Sequence, residues 1–271
     1  MMTNRMRSPK ARDHVHDQLT AITFDLWGTL LHLSPRNAAR YEEERERIWL
    51  DSARSWPRVE GVEPAKGSEE EARAQVVQET RKEATLGRTR SVEAQGHRLA
   101  ELLGREYHPG CVSRQLDPLV RRLPVRIEPA DRRTLAELER SGLRLGVVSN
   151  LLFEPAESVR ALLAEHHLLR FFHHVSLSEE LPWCKPSPRI FQDCLEELGV
   201  PACHAAHVGD SEEDVTGATR EGYGAVGFIG STRRTVPRAG GPSASSSRRA
   251  ARPRCVHLGS VSELTQKLLK V

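Results

Sequence analysis

At 271 residues, with 38 % hydrophobic and 28 % charged side chains, the chain can bury one large core or a core with a smaller partner domain. A net charge of only +3, its basic excess carried largely by Arg in the terminal and late linker segments, argues against a nucleic-acid binder, which would concentrate a basic face. No apolar run approaches the roughly 20 residues of a membrane span, the first eighteen residues lack an apolar leader core, and five cysteines without a Cys-x-x-Cys pair fit a reduced, cytoplasmic setting.

Residues 1–18 are polar and unpatterned and read as a disordered tail. The β-prone run Ala21 to Phe24 predicts a first strand that delivers Asp25 into a turn. Gly28 then permits a tight fold-back, and Thr29 places a hydroxyl near the carboxylate. Asp-x-x-Gly is also an ordinary turn sequence, so Asp25 alone decides nothing. From 34 to 122 the composition becomes helix-forming and charged. Tyr41, Ile48, Trp49, Ala53 and Trp56 approximate one helical stripe. Ser68 with Glu71 makes a capping box for a second helix, and Gly104 stops a third that carries Leu99, Leu102 and Leu103. Val112, Leu116, Leu119, Val120 and Leu123 mark a fourth, with Pro118 at its start or at a kink. No strand candidate interrupts the four, which predicts a small helical domain inserted after the first strand.

Helix and strand then alternate, the pattern of parallel βαβ units. The predicted strands are Leu143 to Val148, His174 to Leu177, Ala205 to Val208 and Ala225 to Ile229, with helices between them stopped by Gly142, Gly199 and Gly222. Pro188 suits the first turn of one such helix. Residues 231–254 are rich in Ser, Arg, Gly and Pro and read as a disordered insertion. Cys255 to Leu258 and Val261 to Leu269 supply a last strand and a closing helix. The expected fold class is α/β: a Rossmann-like parallel sheet core from 19–33 and 123–271, with the helical insert at 34–122.

Polar clusters fall at four of these strand ends. Asp25 and Thr29 follow the first, Ser149 and Asn150 the second. Lys185 precedes Pro186 and a helix, and Gly209-Asp210 with Asp214 opens another helix. Each has a plain reading as a cap, a turn or a solvated charge. Cys203, His204 and His207 suggest no fourth ligand and make a poor zinc site.

The order of the set, Asp25-x-x-x-Thr29, Ser149, Lys185, Gly209-Asp210-x-x-x-Asp214, resembles the haloacid dehalogenase-like (HAD) hydrolase superfamily over nearly the whole chain. The insert is similar to that superfamily's helical cap. The resemblance implies Asp25 as nucleophile, Ser149 and Lys185 gripping the transferred group, and Mg²⁺ held by Asp25, Asp210, Asp214 and the Trp27 backbone carbonyl. It implies a small-molecule substrate, with Trp27 and Asn150 beside it. A dianionic phosphoryl group attacked by a carboxylate needs neutralising first, which a divalent cation and a fixed ammonium supply.

Trp27 departs from the pattern. Phosphatases of the superfamily carry a second Asp there to protonate the leaving group, and an indole N–H cannot give up a proton near neutral pH. The leading expectation is therefore Mg²⁺-dependent hydrolysis of a phosphate ester with a good leaving group. The rival is a metal-free 2-haloacid dehalogenase, with Arg36 or Arg40 as positional candidates for holding halide. A phosphonoacetaldehyde hydrolase-like reaction through Lys66 or Lys82, and a non-catalytic binding protein on the same fold, are further alternatives.

Overall fold

A computed structural model describes residues 19–65, 67–230 and 253–269. The tail at 1–18 and most of the 231–254 insertion lie outside the described residues. Six parallel strands form one sheet: β1 (Ala21–Phe24), β2 (Arg144–Ser149), β3 (His174–Leu177), β4 (Ala205–Gly209), β5 (Ala225–Ile229) and β6 (Arg254–Leu258), in the order β3-β2-β1-β4-β5-β6. The first strand is thus interior, paired with β2 and β4, and Phe24 is level with both Val147 and Val208. Connections leave β1 toward β2 on one side and return to β4 on the other. The crevice at that reversal is where open α/β sheets bind ligands.

Side chains alternate across the sheet as the strand period requires. Ile22, Phe24, Val147, Val175 and Val208 face a core completed by α5 (Pro129–Arg140) and α6 (Ala156–Glu165). Ala21, Val148 and Val226 face the opposite core with α7 (Pro188–Leu198) and α8 (Glu212–Glu221). Pro188 occupies the first turn of α7, and Gly199 and Gly222 cap their helices in the left-handed region.

Four helices follow β1 before α5: α1 (Pro35–Ser55), α2 (Glu69–Thr85), α3 (Val92–Leu103) and α4 (Cys111–Arg121). Trp49, Ala53, Trp56, Val76, Leu99 and Leu116 give them an apolar cluster of their own. The Ser68–Glu71 capping box forms in both directions. Pro118 neither starts nor ends α4 but sits within it. Gln95 ties the insert to the sheet, its side-chain amide donating to the Leu152 carbonyl (2.7 Å) in the loop after β2.

Two segments near the end of the described residues differ from expectation. Arg254 belongs to β6, because its N–H bonds the Gly224 carbonyl (3.0 Å) and it is level with Ala225. The closing segment keeps its buried stripe of Val261, Leu264 and Leu268. It runs as a tight turn over Val261–Glu263 and a wide one over Thr265–Leu269 instead of a regular α-helix. Among the described residues no helix is long and apolar enough to cross a membrane.

Candidate active site

Asp25 is the first residue beyond β1, and its N–H still bonds the Val208 carbonyl of β4 (2.9 Å). The turn that follows is wound on one acceptor, the Leu26 carbonyl, which takes the N–H groups of Thr29, Leu30 and Leu31 at 3.3, 2.9 and 2.8 Å. Gly28 sits in it at φ +80°, and a Cβ there would fall 2.2 Å from Asp210 Oδ2. Both the backbone conformation and the approach of Asp210 therefore demand glycine.

The clusters from β1, β2 and β4 and the loop before α7 meet around the Asp25 carboxylate. Its Oδ1 accepts from Ser149 Oγ (3.0 Å) and pairs with Lys185 Nζ (2.7 Å). The same ammonium reaches Asp214 Oδ1 at 2.7 Å. All four side chains are buried. Burial dominates at Asp25 and raises its pKa above the ordinary value against the pull of Lys185, and the Asp214 charge adds to the rise. At Lys185, burial disfavours the charge, but Asp214 and Asp25 outweigh it and lift the ammonium above its usual pKa. Burial likewise opposes ionisation of Asp214, yet Lys185 and His207 hold that carboxyl well below the usual range. The site keeps Asp214 as a fixed anion, Lys185 as a fixed cation and Asp25 as the tunable group between them.

Asp214 is further held by Ser211, whose N–H (3.0 Å) and Oγ (2.6 Å) both donate to Oδ2 in a capping box at the start of α8. Beneath it, His207 Nε2 lies 3.1 Å from Asp214 Oδ1, and His207 Nδ1 bonds Thr23 Oγ1 (2.8 Å), itself 3.2 Å from the Tyr223 hydroxyl. His207 therefore turns into the core, while Cys203 is exposed. Sequence reasoning missed Thr23, His207 and Tyr223. The available signal was a Thr and a His on facing positions of two buried strands.

Two candidates sit differently from the sequence reading. The Asn150 side chain clamps the backbone of Lys185, donating to its carbonyl (3.0 Å) and accepting its N–H (2.7 Å). Both ends of that amide are engaged, so it fixes the Lys185 loop as well as bordering the site. Thr29 is buried, but its hydroxyl has no hydrogen-bond partner and is not joined to the Asp25 carboxylate.

Asp25, Asp210 and Asp214 each offer a carboxylate oxygen, all within 4.8 Å of one another. An all-oxygen anionic set suits a hard divalent cation such as Mg²⁺. Beside them a cavity of about 490 Å³ opens under α1, bordered by Trp27, Gly28 and Asn150 on the sheet side and by Tyr41 and Arg45 on the insert side. Arg36 and Arg40 do not line it and are exposed, Arg40 being paired with Glu44. Lys82 is also exposed and does not line it, and Lys66 lies outside the described residues.

A family model described as haloacid dehalogenase-like hydrolase matches residues 19–222. The chain belongs to the haloacid dehalogenase-like hydrolases. Among curated HAD relatives, it is 39 % identical over 90 residues to the glyceraldehyde 3-phosphate phosphatase of Methanopyrus kandleri, covering 33 % of this chain and 37 % of that one. It is 34 % identical over 100 residues to the phosphoglycolate phosphatase of Pseudomonas savastanoi pv. phaseolicola, covering 37 % of this chain and 36 % of that one. These matches span little more than a third of either relative. The solved 2-haloacid dehalogenase of Pseudomonas syringae pv. Tomato DC3000 superposes with a TM-score of 0.57 at 21 % identity, over 92 % of this chain and 97 % of that one. At that identity the likeness establishes the HAD fold and leaves the chemistry open.

Proposed function

We propose that this HAD hydrolase cleaves small phosphate monoesters through an aspartyl-phosphate on Asp25. The observation that carries the reading is Lys185 shared between Asp25 and Asp214 with Asp210 alongside. A lone carboxylate nucleophile repels a dianionic phosphoryl group, and a site built of three acids and one lysine fits such a substrate once a divalent cation is added. Asp25, Asp210 and Asp214 with the Trp27 carbonyl would hold Mg²⁺, which supplies charge neutralisation at the phosphoryl oxygens. Two curated relatives that are phosphatases by name support the same reading.

With Oδ1 of Asp25 engaged by Ser149 and Lys185, Oδ2 is the oxygen that attacks phosphorus as the ester P–O bond breaks. Lys185 and Ser149 then steady the charge of the transferred group. Water hydrolyses the acyl phosphate, releasing phosphate and restoring the carboxylate. Trp27 cannot protonate the departing oxygen, so esters of acidic alcohols are favoured. The helices of 34–122 act as a cap over the core of 19–33 and 123–271, and the substrate enters between them. A small-molecule substrate and a cytoplasmic setting accompany this reading.

Trp27 also favours the second reading, metal-free dehalogenation, since halide leaves without a proton. Against it, a 2-haloacid is itself a carboxylate, and neither Arg36 nor Arg40 borders the cavity. Initial rates on aryl phosphates, acyl phosphates and 2-haloacids, with Mg²⁺ and with EDTA, decide between them. Phosphate release lost in EDTA supports the phosphatase. Haloacid turnover that survives EDTA overturns it.

A further inference from the structure

Selectivity in this site rests on the wall of the cavity beneath α1. Its sheet side and its loops present Trp27, Leu31, Leu33, Leu123, Leu152 and Phe153, an apolar majority. Three charged side chains interrupt it: Arg45, Glu42 and Glu154. The Arg45 guanidinium is not available to a ligand anion. It pairs with Glu46 (3.0 Å) and Glu42 (3.5 Å) and sits over Phe153, its Cζ 4.4 Å from the ring centroid. Two other guanidiniums near Phe153 are likewise matched, Arg73 by Glu46 (2.8 Å) and Arg81 by Glu42 (3.4 Å). Glu154 brings a further carboxylate, which accepts the Tyr41 hydroxyl (3.0 Å) and has no cation paired to it among the described residues. The wall thus offers much apolar surface and no surplus positive charge.

Resting on the phosphatase reading above, we propose that the alcohol half of the substrate is apolar and uncharged, an aryl or comparably hydrophobic group, and that Glu154 rejects phosphorylated acids. Phe153 and Leu152 supply the surface on which that group is buried. A substrate carboxylate in the same place would lose water and meet the Glu154 carboxylate. The same cavity wall carries Trp27 in place of an acid, and an aryl alcohol is the kind of leaving group that departs without protonation.

The test uses a pair of esters with nearly equal leaving groups, phenyl phosphate and 3-(carboxymethyl)phenyl phosphate, and the Glu154→Gln variant separates the effect of charge from that of size. The wild-type kcat/KM is expected to favour phenyl phosphate by about tenfold or more. Glu154→Gln keeps an acceptor for Tyr41 but removes the charge, and should narrow that ratio about threefold or more. Phe153→Leu, chosen over Ala to preserve the fold, should raise KM for phenyl phosphate more than it lowers kcat. If wild type hydrolyses the carboxylated ester as well as or better than phenyl phosphate, the substrate proposal is overturned while the phosphatase reading stands. If the ratio is large but unmoved by Glu154→Gln, Glu154 is not the selector and the proposal fails in that part. If neither ester is cleaved and a 2-haloacid is, both readings fall.

Discussion

His207 Nε2 stands 3.1 Å from Asp214 Oδ1, the same oxygen that Lys185 Nζ holds at 2.7 Å. One carboxylate oxygen is therefore gripped from the sheet below and from the α7 loop above, and all three side chains are buried. Through Asp214, His207 fixes where the lysine points, although it touches nothing that reacts.

His207→Ala should cost about 2–4 kcal/mol of folding stability, from the cavity and from the unpaired Asp214 and Thr23 groups left behind. It should also lower kcat more than it changes KM, since Asp214, the counter-charge of Lys185, is no longer held from the sheet side. His207→Gln can still donate from the position of Nε2 and should recover much of kcat. Denaturant unfolding and steady-state kinetics on the three proteins check this, and equal kcat losses in Ala and Gln would reduce His207 to packing.

Asp25→Asn should abolish turnover, falling at least about 10⁴-fold, because an amide is a poor nucleophile. The variant should remain folded, since Asn can still accept from Ser149 and Lys185 keeps Asp214. Single-turnover assays on a homogeneous preparation, with a melting curve beside them, separate the two effects.

Trp27→Asp would return an acid to the turn beside Asp25. For alkyl phosphates, whose alkoxides leave badly, the rate should rise by about 10-fold or more, bounded above by the roughly 10²–10⁴-fold typical of general acid catalysis. Aryl phosphates should gain little or lose activity, since the indole also forms part of the cavity wall. Parallel rates on ethyl and phenyl phosphate are the measurement. A wild type that already cleaves both equally, with chemistry rate-limiting, would point to another donor, and His32, on the same cavity wall, is the first to substitute.

Acid sensitivity should appear in the helical insert. Arg98 bonds Glu79 through Nε and Nη2 (3.1 Å each) and, with Gln75 and Arg90, holds its carboxyl at about 2 against burial. A carboxyl whose folded value is depressed stabilises the fold above its unfolded value near 4.5, and that contribution is lost as pH falls from there toward 2. The network is partly exposed, so the effect is expected at or below about 1 kcal/mol. Glu79→Gln should lower Tm at pH 7 and lose less than wild type on going to pH 3.

The strand ends were legible because each pairs an apolar run with a polar residue the run cannot absorb. Ser149, Lys185 and Asp214 reach Asp25 through sequence separations of more than a hundred residues or through a neighbouring cluster, and only the parallel order of the strands brings them together. What stayed hidden depends on rotation about an axis. Arg45 resembles its charged neighbours along α1, yet the helix turns it inward onto Phe153 while Arg40 remains outside. His207 stands in sequence beside Cys203 and His204, a spacing that suggests only a poor metal site, and its partner Thr23 is one residue of a β-prone run. The family resemblance implies Asn150 beside the substrate, and only the distances assign its amide to the Lys185 backbone.

The interior place of β1 bears on how the protein is made. Asp25 is made long before its partners: Ser149 is 124 positions later, and Thr23 meets His207 across 184. Until β2 and β4 have been translated, β1 has neither neighbour, and four buried residues of apolar strand wait with unpaired backbone. Contacts closed over such long loops form slowly. A ribosome-bound chain stopped before Ala205 should therefore depend on chaperones to shelter that strand, and the Asp25 carboxylate meets its buried partners only after Asp214 has been made.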